Sequence, residues 1–181
     1  MYREYIRLRS VGLTDIRTGK TVFRRKTREL LIRLVFQMTS TGDFSDEAKA
    51  VFLADTSLYT GDVREDTPLG CIFHETAGEG PDMPYLDWAF ACVRENLEEI
   101  DRAISGASEK WSIERMNIVD LSILRVAVAE LLFMEDIDEG ISVNEAVVMA
   151  KKYGSEKSAA FVNGVLGALA RKGAGEGGSV S

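Results

Sequence analysis

The chain has 181 residues, a formal charge of -7, 45% apolar residues and three prolines, which suits one globular and largely helical domain and excludes a disordered chain. Its two cysteines, Cys71 and Cys92, are too few for a disulfide framework and point to a reducing compartment. No secretory signal is legible, and the longest strongly apolar run, Val126 to Met134, is too short for a bilayer, so a soluble cytoplasmic protein without membrane contact is expected.

Charge is uneven. Residues 1–33 hold ten Lys/Arg and three acids, a balance of +7 against -14 for the remainder. A basic arm on an acidic body is a footprint for a polyanion, and equally the mark of a solvated terminus.

Residues 1–23 alternate weakly and read as a basic, partly ordered extension with a turn at Thr18-Gly19-Lys20. From Arg24 to about Ser40 the spacing of Leu30, Leu31, Leu34, Val35 and Met38 predicts a helix with one core stripe. Arg25, Arg28, Ile32 and Phe36 share a different face. An aromatic ring in line with arginines suits RNA stacking and phosphate contact. The competing reading makes Phe36 an ordinary core residue of a helix buried on two sides.

A second short helix is expected over Phe44 to Ala54, started by Ser45. Residues 55–84 hold all three prolines and read as a long loop. Cys71-x-x-His74 lies in it, but one Cys and the only His do not make a metal site. Tyr85 to about Ser105 reads as one helix ending at Gly106. Asn117 should cap a central helix over Ile118 to Met134, apolar all round. Arg125 within it needs an ion-pair partner. Ser142-x-x-Glu145 reads as a capping box. Lys151, Lys152 and Gly154 close that helix, and Ser155 begins the last one, to about Arg171. Gly164 and Gly167 suggest a close helix contact. Residues 173–181 read as a disordered tail.

Catalytic patterns are not visible. There is no phosphate-binding glycine loop and no nucleophile elbow. His74 sits in the expected loop. A binding module without cofactor or metal is therefore expected, not an enzyme.

Three stretches carry a resemblance: "RRKTRELLIRLVFQ", "WSIERMNIVDLSILRVAVAELLF" and "ISVNEAVVMAKKYGSEKSAAFVNGVLGALAR". In this order they resemble NusB transcription antitermination factors, over about 24–40 and 86–171. The resemblance implies an all-α fold of two small helical bundles packed together, about seven helices, within 24–172. It implies pairing with NusE, the small-subunit ribosomal protein. It also implies joint binding of box A-type single-stranded RNA, and assembly with other Nus factors and RNA polymerase on ribosomal RNA operons. The family's Arg-rich start falls on Arg24, Arg25, Lys26 and Arg28, and its late aromatic position on Phe36. Its acidic position at the start of the central helix falls on Asp120, which would accept from RNA or partner. The stretch before the last helix falls on Lys157, often acidic in the family, and on Phe161. Arg24, Arg25, Lys26 and Arg28 are expected to hold phosphate with the N–H groups of the helix start.

The chain departs from the family in its 23-residue extension, in the expanded segment 55–84, and in the Asp138–Gly140 turn, which carries acids in place of Pro and Lys. These leave a second reading, a non-catalytic helical adaptor with weak or no RNA binding. A third reading, the NusB-like domain of some RNA methyltransferases, lacks a cofactor-binding segment here. The oligomeric state is expected to be monomer or homodimer.

Overall fold

The computed structural model describes residues 20–54, 82–108, 111–134 and 136–176, with backbone alone for 20–23 and 172–176. The turn expected at Thr18, most of the loop with Cys71 and His74, and the tail 177–181 lie outside these residues. Among the described residues there are seven α-helices and a 3-10 turn at Ile113–Arg115. The helices are α1 (Lys20–Thr41), α2 (Asp46–Ala54), α3 (Met83–Glu95), α4 (Leu97–Ala107), α5 (Ile118–Phe133), α6 (Glu139–Tyr153) and α7 (Ser158–Glu176).

The fold is organised around α5. It packs against α1 and α3 on the side of the first bundle and against α4, α6 and α7 of the second. All eleven residues from Asp120 to Glu130 are buried, as a helix apolar on every face requires. Its start is capped as expected: Asn117 Oδ1 accepts from Val119 N–H at 2.8 Å. Arg125 finds its partner in Asp101 of α4, with Nε and Nη2 donating at 2.8 and 2.7 Å, and it reaches Thr39 of α1 at 2.8 Å. One guanidinium thus ties three helices together.

Several sequence expectations are revised. α1 begins at Lys20, four residues before Arg24, and ends where Gly42 adopts φ +72° and donates its N–H to Met38 O. Arg24 to Arg28 therefore lie beyond the first turn, where amides are paired within the helix, so they do not frame free N–H groups. The long helix expected from Tyr85 is two helices. It starts at Met83, with Pro84 in the first turn and Asp82 accepting from Tyr85 N–H. It breaks at Asn96, whose side chain donates to Cys92 O at 2.9 Å and so competes with helix continuation. The capping box is also overturned. α6 starts one turn earlier, capped by Asp138, which accepts from Ile141 N–H. Ser142 and Glu145 turn inward to other helices. Finally, α7 runs on to Glu176, and its start is fixed by a Ser155–Ser158 pair: Ser158 Oγ accepts from Ser155 N–H at 2.8 Å.

Candidate nucleic-acid interface

The basic row of α1 is largely paired. Arg24 Nη2 lies 3.8 Å from Asp82 Oδ2 and its guanidinium stands 5.6 Å from the Tyr85 ring centre. Arg25 donates twice to Glu145, at 2.7 and 2.5 Å, while its side chain stays 47% exposed. The hydrogen bond to Glu145 raises the Arg25 pKa, and burial partly offsets this. Lys26 is half-buried and has no ion-pair partner among the described residues.

Arg28 corrects the sequence reading. Every residue from Thr27 to Val35 is buried, because α1 is covered on two sides. Arg28 itself is 3% exposed, donates through Nε to Glu130 at 2.7 Å, and lies 4.0 Å from Glu145. Burial pulls its pKa down, and the neighbouring Tyr85 phenol and the carboxylates of Glu130 and Glu145 more than offset this. Glu130 also accepts from Tyr85 Oη and, at 2.6 Å, from Ser142 Oγ. Burial, then Glu130, pushes the Tyr85 phenol well above its ordinary pKa. Arg28 therefore belongs to a buried polar network and has no solvent-facing donor for phosphate.

Phe36 is different from its neighbours. Ile32, one turn before it, is buried, but Phe36 is half-buried and stands outside both the core and the apolar side chains packed on it. The ring lies twelve residues, or about 18 Å of helix, from Arg24.

The second set of residues gathers elsewhere. Asp120, Lys157 and Phe161 line one groove of about 430 Å³, between the starts of α5 and α7 and the segment before α5. Lys157 is exposed, and Phe161 is half-buried against Trp111, edge-on with ring centres 6.4 Å apart. Asp120 is 6% exposed, and its Oδ1 has no donor among the described residues. Burial raises its pKa, and a hydrogen bond from Ser158 partly offsets that. Trp111 and Arg115, which also line the groove, were missed in the sequence. A Trp shortly before the Asn117 cap was the available signal, and its exposure was not legible. No hydrogen bond, ion pair or ring contact joins this groove to the α1 row among the described residues.

Among the described residues the architecture is all-helical, with half-open aromatic rings and basic side chains on its surface. The chain matches the NusB family model over residues 25–171, and it belongs to the NusB family. It is 43% identical over 146 residues to the transcription antitermination protein NusB of Clostridium botulinum (strain Loch Maree / Type A3), covering 81% of this chain and 98% of that one. A solved T. maritima NusB superimposes with a TM-score of 0.63 at 31% identity, covering 82% and 91% of the two chains. A structure of the antitermination factors NusB and NusE with double-stranded RNA shares the fold, with a TM-score of 0.62 at 24% identity, covering 83% and 97%. No described helix is long and apolar enough to cross a membrane.

Proposed function

We propose that this chain is a cytoplasmic transcription antitermination factor that binds box A-type single-stranded RNA together with NusE. It joins the other Nus factors on RNA polymerase, notably on ribosomal RNA operons, and catalyses no chemistry. The observation that carries this is the 43% identity to an antitermination NusB across 98% of that protein. The surface supports it. Phe36 is a half-open ring outside the core, and Lys26, Arg115 and Lys157 are not ion-paired among the described residues. Aromatic platforms and unneutralised cations are what single-stranded RNA requires. Arg24, Arg25, Lys26, Phe36, Lys157 and Phe161 would contact RNA, and Asp120 would accept from RNA or partner.

One observation favours the adaptor reading. Arg24 and Arg25 already face internal acids, which weakens the α1 row as a phosphate site. A titration of box A-type and scrambled RNA, with and without NusE at two salt concentrations, separates the two. Sequence-selective binding, tightened by NusE and weakened by salt, is the expected result. Binding to NusE but to neither RNA would leave the adaptor.

A further inference from the structure

We propose that the end of the helical body formed by the finish of α5 and the start of α6 is the docking surface for the chain's own residues 1–19, which lie outside the described residues. This surface is separate from the residues assigned to RNA above, and the inference does not rest on that assignment.

The first observation is an uncovered apolar end. Val51, Trp111, Leu132 and Ile141 are the exposed large apolar side chains of the described residues, and two of the four belong here. Leu132, in the last turn of α5, is 46% exposed, and Ile141, in the first turn of α6, is 52% exposed. Phe133 and Ile137, between them in the chain, pack against the core and remain only half-buried. The middle of α5 is surrounded, whereas past Glu130 the helix emerges from its neighbours still apolar. A cover that takes these side chains out of water is favourable.

The second is charge. Asp136, Asp138 and Glu139 are exposed at the same end. Asp138 caps α6, but Asp136 and Glu139 have no side-chain partner among the described residues. No Lys or Arg occurs between Arg125 and Lys151, so the α5–α6 connection carries no counter-charge of its own. Arg25 of α1 is taken up by Glu145. Residues 1–19 supply what is missing. They hold Arg3, Arg7, Arg9 and Arg17 against Glu4 and Asp15, and Ile6 and Leu8 alternate with Arg7 and Arg9. An apolar and basic segment complements an apolar and acidic end, whereas the three acids repel a nucleic acid.

The third is where the segment joins the body. Arg28 of α1 and Ser142 of α6 both reach Glu130 of α5, at 2.7 and 2.6 Å, and so define one layer. Arg25 meets Glu145 and, further along both helices, Glu29 meets Lys152, so α1 and α6 run the same way. α5 turns back into α6 within a few residues and runs opposite to both. The start of α1 therefore points to the same end as the last turn of α5 and the first turn of α6. Lys20 stands eight residues before Arg28, about 12 Å along the axis, and the apolar end lies about one helix spacing, 8–10 Å, to the side. The eleven residues from Arg9 to Lys20 span up to about 36 Å, ample for the segment to double back.

The test uses the full chain with a benzophenone side chain in place of Leu8, irradiated at low protein concentration, and locates the cross-linked peptides by mass spectrometry. Cross-links within one chain to residues 131–141 are expected. Two double variants, Leu132→Ser with Ile141→Ser and Asp136→Lys with Glu139→Lys, are each checked for fold by a melting curve. Each should lower the yield by about 2- to 10-fold. Adding Arg7→Glu and Arg9→Glu to the lysine pair should restore it, which a general loss of fold would not allow. Cross-links that fall elsewhere on the body, or that neither double variant changes, overturn the proposal, as does a charge swap that restores nothing. Cross-links between two chains that fade on dilution give the end to a second copy and overturn it. No cross-link to 131–141 also overturns it; loss of NusE binding in Leu132→Ser with Ile141→Ser would then give the end to that partner.

Discussion

Arg25 and Glu145 lie 120 residues apart in the chain and meet in a two-point ion pair, Nε to Oε2 at 2.7 Å and Nη2 to Oε1 at 2.5 Å. The pair joins α1 to α6, and Lys152 reaches Glu29 beside it at 2.6 Å. Glu145 is buried, while half of the Arg25 side chain remains in solvent. The same guanidinium proposed to meet RNA is thus already oriented by the fold.

This arrangement separates structure from binding by mutation. Arg25→Ala is expected to cost about 1 kcal/mol of stability, since Arg28 stays near Glu145 and solvent screens the exposed half of the pair. It should also lower RNA affinity at every sequence and reduce the salt slope by about one. Glu145→Ala should cost more stability, about 1–3 kcal/mol, because it removes the buried partner of two arginines. Urea melts and RNA titrations of both variants check this. Unchanged RNA binding in Arg25→Ala would make the residue purely structural.

Arg28 should behave in the opposite way. Arg28→Ala leaves Glu130 buried without its counter-charge, and a loss of about 3–5 kcal/mol is expected. Combining it with Glu130→Gln should cost less than the sum of the single changes. RNA affinity per folded molecule should not change. A stable Arg28→Ala protein that loses RNA binding would return Arg28 to the interface.

The two informative glycines should respond with opposite signs. Among the described residues a Cβ at Gly164 would meet nothing within 4 Å, so none of them makes the close helix contact expected there. Gly164→Ala should stabilise the protein by about 0.5–1 kcal/mol through helix propensity alone. A Cβ at Gly154 would lie 2.4 Å from Ser158 Cβ and 2.7 Å from Ala150 O. Gly154→Ala should therefore destabilise it by about 1–3 kcal/mol. Thermal melts of the two variants decide both.

Asp120 gives a pH signature. Burial raises its pKa above the ordinary 3.8. The folded state then holds its proton more tightly than the unfolded state, so this group's contribution to stability falls as pH rises through that window. Asp120→Asn removes the titration. It should be more stable than wild type at neutral pH, by about 1 kcal/mol, and the advantage should vanish below about pH 3.8. Equal melting temperatures at neutral pH would show that the carboxylate is satisfied.

Much of the helical layout was legible in the sequence, because local rules set it. Asn117 caps α5, Ser45 accepts from Ala48 N–H at the start of α2, and the run from Asp120 to Glu130 is apolar enough to require burial on every side. The order of the three family-like stretches also sufficed to predict the NusB family. Side-chain roles were another matter. Ser142 and Glu145 have the spacing of a capping box, yet Ser142 donates to Glu130 and Glu145 receives Arg25. Helical periodicity put Arg25, Arg28 and Phe36 on one face, and only the packing of α3 and α5 over α1 buried Arg28 while leaving Phe36 half-open. Trp111 gained meaning only when the start of α7 came to lie beside it. Local sequence determines which segments coil and where they stop, since caps and periodicity act over a few residues. Which charges are neutralised, and which rings stay bare, depends on partners a hundred residues away, and only the tertiary structure decides it.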